Sequence, residues 1–247
     1  MALDFDGSND YINIPHNAAL QLSDEITITA WVKSTDWTTT KWRNIISKGR
    51  SVDFQESNYE LWLYNSNTTS MYIAFYYLND AHVETRAGKT ISIPTYMPLN
   101  TWTHIALVHK YTDSTALKIY FNGVDVAPTW NTPSDVKTPH TTTRAIAIGA
   151  GINWDGTAEE FWTGQIADVR IYNRILPLSE IQSNMHRYIV AETGLVGYWR
   201  LNEGTIDAAP AGNTAVDLSA TADHGSDVGS MTNSDYVSEP PITPLMD

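Results

Sequence analysis

Short stretches that alternate apolar and polar residues recur along almost the whole of this 247-residue chain, with turn residues between them. That pattern confines the fold to an all-β sandwich or barrel. A strand sends successive side chains to opposite faces, and it can bury one face only against another sheet. Residues 2–5 and 11–14 flank the turn Asp6-Gly7-Ser8-Asn9-Asp10, and 26–33 alternate with Ile26, Ile28, Ala30 and Val32 on one face. Residues 44–47 form a short strand, and 59–64 with 71–78 read as a hairpin closed by the polar tract 65–70. Residues 102–110 and 116–121 make a second pair, after which Asn122-Gly123 is a two-residue hairpin turn returning through 124–126. Further strands are expected at 145–150, 166–172 and 195–201. Only 177–188 has helical spacing, with Leu178, Ile181, Met185 and Tyr188 three to four residues apart.

The run 164–174 is the most informative of these. It alternates through Ile166, Val169, Ile171 and Tyr172, with one break at Ala167-Asp168 that sets a carboxylate just inside a strand. Such a carboxylate is either solvated or holds something. Lys and Arg total 15 against 28 Asp and Glu, for a net charge of −13. That balance argues against nucleic acid and against an anionic membrane surface, and it suits Ca²⁺. With no cysteine there are no disulfides, thiolate chemistry or cysteine-held zinc. No apolar run reaches the roughly 20 residues of a membrane span. Met1-Ala2 leads straight into a strand without a signal peptide, so the chain is expected to be a mature piece of an exported, extracellular or cell-surface protein.

The segments Ala2-Leu3-Asp4-Phe5-Asp6-Gly7, Ile26-Thr27-Ile28-Thr29-Ala30-Trp31-Val32-Lys33 and Ile45-Ile46-Ser47-Lys48-Gly49 resemble the laminin-G-like, concanavalin A-like jelly-roll domains. Trp102-Thr103-His104-Ile105-Ala106-Leu107-Val108, Ile119-Tyr120-Phe121-Asn122-Gly123, 146–149 and 164–181 continue the likeness in order over residues 2–182. The resemblance implies an all-β, two-sheet antiparallel jelly-roll sandwich with one short helix near 177–188. It implies a laminin-G-like sandwich over 1–190, a C-terminal segment over 191–239, and a linker or tail over 240–247. The segment Gly194-Leu195-Val196-Gly197-Tyr198-Trp199-Arg200-Leu201-Asn202 resembles the stretch that usually precedes the first of these strands, yet here it comes last. It either opens a truncated second repeat or folds back as a circularly permuted strand. The second is preferred, because a sandwich without it leaves an open strand edge. By composition alone, 204–247 also reads as a loose tail.

In such domains a structural Ca²⁺ commonly links the first strand to the carboxylate of the last long strand. Asp168 is the matching residue, and Asn202 with neighbouring carbonyls would partner it; the alternative is a solvated strand-end carboxylate. Asp4, Asp6 and Asp10 form another acidic cluster, in which turn chemistry explains Asp6-Gly7 and Asn9-Asp10 without a metal and a second ion site is the alternative. Of nine Trp, Trp31, Trp102 and Trp199 belong to strand motifs and are expected in the core. Trp37, Trp42, Trp130, Trp154 and Trp162 lie in or beside loops, where aromatic rings suit sugar faces and Asn153, Asp155, Asn131 and Arg43 could meet hydroxyls. The alternative is that these rings cap the sandwich ends or fill a partner interface. Glycosidase chemistry needs a pair of carboxylates about 5–5.5 Å apart for retention. No strand carries such a pattern, and Glu159-Glu160 on one strand would point to opposite faces. The leading expectation is therefore a non-catalytic, calcium-stabilised carbohydrate-binding module of an exported bacterial protein, with a polysaccharide or glycan as partner. A protein-interaction or adhesion module with a protein partner is the alternative, and a polysaccharide hydrolase or lyase the second.

Overall fold

The computed structural model describes residues 1–50, 56–131, 137–189, 191–202, 215–229, 231, 236–237 and 240–242. Its strands are β1 (Ala2–Asp6), β2 (Tyr11–Ile14), β3 (Glu25–Ser34), β4 (Trp42–Arg50), β5 (Glu56–Asn65) and β6 (Ser70–Leu78). There follow β7 (Glu84–Ser92), β8 (Thr103–Lys110), β9 (Asp113–Phe121), β10 (Val124–Asp125), β11 (Thr129–Trp130) and β12 (Ile146–Ile148). The last are β13 (Gly151–Ile152), β14 (Ala158–Glu159), β15 (Thr163–Tyr172), β16 (Leu195–Trp199), β17 (Ser226–Val228) and β18 (Tyr236–Val237). Among the described residues there are also two short α-helices, α1 (Ile93–Tyr96) and α2 (Leu178–Asn184), and a 3-10 helix at Ala18–Leu20.

Two antiparallel sheets face each other. One has the order β10-β9-β8-β3-β15-β1-β18 with β16 also on β15, and the other β11-β7-β6-β5-β4-β12-β2-β17. Their inner faces supply one core, including Ile28, Ala30 and Val32 from β3, Leu61 and Leu63 from β5, Ile73 and Phe75 from β6, and Ile105 and Leu107 from β8. The alternation read in the sequence is this inward face. The Asn122-Gly123 turn forms as expected: both residues have positive φ, and Val124 pairs with Phe121.

The break at Ala167-Asp168 is a β-bulge. The β15–β3 register shifts between Ala167 and Arg170, and Asp168 has φ +54°. The same point is a splice. On one edge of β15, β1 pairs with residues 163–166, as in Leu3↔Ile166, and β16 pairs with 169–172, as in Val169↔Trp199. β16 and β1 thus run in the same direction, end to end along β15, so the late segment occupies the position of a strand preceding β1. Asp168 N donates to Arg200 O (3.1 Å) at the junction. Tyr198, Trp199 and Leu201 are fully buried, β17 extends the second sheet beside β2, and β18 pairs with β1. Ile242 packs against Ala2, Trp31 and Ala167, so residues 240–242 lie on the sandwich instead of forming a tail; 203–214 and 243–247 fall outside the described residues.

Two histidines are sealed inside. His109 is ringed by Phe75, Tyr77, Tyr111 and Trp130, and neither ring nitrogen has a hydrogen-bond partner among the described residues. His104 packs edge-on to Trp31 at 5.3 Å. Burial pushes both imidazoles down to about 3. Below the unfolded value near 6.5 the unfolded chain therefore binds protons that the folded chain refuses, and stability falls as pH drops toward 3. By pH 5 the expected loss is about 2 kcal/mol per ring. Urea titrations between pH 7 and 5 check this: the midpoint falls with pH, and His109→Leu removes roughly half of the fall.

Candidate functional site

Strands β5 and β6 carry bulky apolar side chains on both faces. Tyr59, Leu61 and Leu63 with Met71, Ile73, Phe75 and Tyr77 point into the sandwich. Trp62 and Tyr64 with Tyr72, Ala74, Tyr76 and Leu78 form a separate cluster on the outer face. A solvent face has no need of such a cluster, so the alternation here sorts the core from a second apolar surface.

The outer face is built in rows across the sheet. Trp42 of β4 pairs with Tyr64 of β5, and Tyr64 with Tyr72 of β6. Adjacent strands lie about 4.8 Å apart, so these three rings cross about 10 Å of surface. Trp42 stacks at a tilt on Tyr64 (4.4 Å) and meets Trp62 edge-on (4.6 Å), while Trp62 lies 5.7 Å from Tyr72. Trp62 and Tyr76 form the base, each 5% exposed, and Trp42 rises above it at 39%. Gly88 of β7 is the floor under Tyr72: a Cβ there would fall 2.6 Å from that ring, so only glycine lets it lie across the sheet.

Polar groups border the strip. Asn44 sits opposite Trp62 and donates to Glu160 Oε2 (2.7 Å). Arg50 donates to Glu159 Oε2 (2.9 Å), to Glu160 Oε1 and to Asn153 Oδ1 (2.7 Å). Glu159 and Glu160 do not point apart as expected for one strand. Glu160 follows β14 with φ +56°, which turns both carboxylates onto the one guanidinium. Burial pushes the Glu160 carboxyl up against the pull of Arg50. On β7, Arg86 lies 3.5 Å from Glu84 and donates from Nε (2.9 Å) and Nη2 (2.7 Å) to the amide oxygen of Asn131.

The five loop tryptophans separate, and Trp162 is fully buried in the core. Trp42 joins the strip, and Trp154 stands 50% exposed in the β13–β14 turn. Trp37 does not offer a ring to solvent: it is 3% exposed, packs edge-on to Trp162 and donates to Met97 O (3.1 Å). Trp130 points inward against Tyr77 and His109, because on β11 it pairs with the inward Ala87. Arg43 is also unavailable for hydroxyls. It is fully buried, bonded to Asn65 Oδ1, Asp36 O and Thr39 O, and it pins the loop before Trp42. Trp31 and Trp199 are core residues, and Trp102 is half-buried beneath Lys33.

Asp168 is not solvated, and its surroundings do not fit calcium. It is 1% exposed, and Arg170 Nη2 donates to its Oδ2 at 2.5 Å. Arg170 also donates to Asn184 O (3.1 Å) and Arg187 O (2.8 Å), tying β15 to the end of α2. Arg200 adds a second positive charge to the field at Asp168. A dication would have to enter beside two guanidiniums, and no group of three or more His, Asp or Glu suited to a metal occurs among the described residues. Asn202, half-buried beyond β16, adds one amide and leaves this balance unchanged. Removing one partner of a buried ion pair leaves the other charge unpaired, so Asp168→Ala is expected to cost about 3–5 kcal/mol. Chemical denaturation checks this, and adding Arg170→Met should recover much of the loss.

The two antiparallel sheets define a jelly-roll sandwich. Residues 6–182 match the laminin-G-like family described as the concanavalin A-like lectin/glucanases superfamily, and the chain belongs to it. A candidate carbohydrate-binding protein from Bacteroides ovatus is similar in structure, with 19% identity and a TM-score of 0.61 over 92% of this chain and 58% of that one. The enzymatically active domain of the bacteriophage CBA120 tailspike protein 2 gives 14% identity and a TM-score of 0.53, over 80% of this chain and 29% of its own. The native heptameric SAP-like pentraxin from Limulus polyphemus gives 16% identity and 0.50, over 73% and 79%. At these identities the likeness concerns the fold. The chain spans 58% of the length of the Bacteroides ovatus protein. No curated protein sequence matches it. Among the described residues no helix is long and apolar enough to cross a membrane.

Proposed function

We propose that this domain is a non-catalytic carbohydrate-binding module of an exported bacterial protein, and that it takes glycan on the outer face of β4–β7. The observation that carries this reading is the Trp42–Tyr64–Tyr72 row, three rings aligned across paired strands and backed by Trp62. A pyranose presents a face of C–H bonds to such rings, while its hydroxyls reach the polar rim. About 10 Å of aromatic surface suits consecutive sugars of an extended chain better than a single residue held in a pocket. Many polymeric glycans are met outside the cell, which supports an extracellular or cell-surface location. The Glu159 and Glu160 carboxylates at the rim are both held by Arg50, an arrangement that favours binding over turnover. The likeness in fold to the Bacteroides ovatus protein supports the same reading.

Affinity electrophoresis through gels carrying soluble polysaccharides tests it. Retardation by at least one polymer, with no release of reducing ends or unsaturated products, is the expected result. Turnover of any polymer would contradict the non-catalytic part, and free migration through every gel would contradict the whole.

A further inference from the structure

Given the glycan site above, on which this rests, we infer that the strip accepts neutral polysaccharide and rejects polymers of uronic or sulfated sugars. The charge of the rim carries the inference. Glu84 on β7, Glu159 at the end of β14 and Glu160 just after it are carboxylates beside the aromatic rows. The cations at the same border are committed. Arg50 holds both Glu159 and Glu160, and Arg86 is bound by Glu84 and Asn131. Lys41, just before Trp42, turns away to donate to Gly7 O (3.1 Å), and Arg43 is sealed beneath its loop.

Three carboxylates thus border two guanidiniums that are already paired, on a chain whose net charge is −13. A sugar carboxylate or sulfate arriving here finds both rim arginines already paired and Lys41 turned toward Gly7. It must either lie beside Glu84 or Glu159, or break an existing ion pair to reach an arginine. A neutral sugar meets the reverse situation. Its hydroxyls donate to carboxylate oxygens, and those of Glu84 and Glu159 are the accessible ones, at 36% and 57% side-chain exposure. Selectivity therefore comes from repulsion at the rim, and the aromatic rows supply the attraction common to both ligand classes.

The test compares the full chain on xyloglucan, galactomannan and mixed-linkage β-glucan with polygalacturonate, alginate and chondroitin sulfate, at low and at physiological salt. The expected result is binding to at least one neutral polymer, with every anionic polymer about tenfold weaker or more. Glu84→Gln releases Arg86 and is expected to raise polygalacturonate binding about threefold or more at low salt, a gain that salt removes. Anionic polymers binding as well as neutral ones would overturn this inference and leave the glycan reading in place. Binding of neither class would overturn both.

Discussion

Removing residues 194–247 is expected to abolish the folded domain. β16 covers the second half of β15 and delivers Leu195, Val196, Tyr198, Trp199 and, just beyond it, Leu201 to buried positions. At about 1.5–3 kcal/mol for each large apolar side chain, the loss is on the order of 10 kcal/mol, comparable with the whole stability of a typical domain. The backbone loses as well, since the edge of β15 from Val169 to Tyr172 would present unpaired ladder groups to solvent. Expression of residues 1–193 is therefore predicted to give insoluble or unfolded protein, read by circular dichroism and a missing thermal transition. A soluble truncated protein with an unchanged melting temperature would show that the late segment is an accessory and not part of the sandwich.

The second large effect is on binding. Trp42→Ala removes the most exposed ring of the row, and Tyr72→Ala removes the ring at its far end. Aromatic anchors dominate the energetics of such surfaces, so each substitution is expected to weaken polysaccharide binding about tenfold to a hundredfold. Both side chains lie outside the main core, so the melting temperature should fall only slightly. Trp154→Ala separates the strip from the β13–β14 turn and, on this account, changes affinity less than either.

Most of the sandwich was legible because its signals are local. The Asn122-Gly123 turn forces its hairpin, the clean alternation of β3 fixes its inward face, and the interrupted alternation at Ala167-Asp168 marks the bulge. β7 was missed because Gly88, Ala87 and Thr85 are small and its charged residues mask the period; it is a strand because β6 pairs with it along its length. The strip was half legible. Trp42 stood out beside a loop, but loop position alone misplaced Trp37 and Trp130, whose rings turn inward through tertiary packing. Trp62, Tyr64, Tyr72 and Tyr76 were passed over because an apolar strand looks like core. The usable signal was that β5 and β6 keep large rings at both parities, one more face than a sandwich core requires. The interrupted alternation shows that Asp168 is unusual, but its partner, Arg170, lies on the same strand across the bulge, and chain order alone does not show that the two side chains meet.

The most direct test is a heteronuclear NMR titration of the whole chain with a neutral oligosaccharide or polysaccharide that retards it in gels. The account predicts that the largest shifts fall on the indole N–H signals of Trp42 and Trp62 and on the amides of β5, β6 and β7 around Tyr64, Tyr72 and Gly88. Shifts confined to the Trp154 turn, to the sandwich end near Trp37, or to α2 would contradict it.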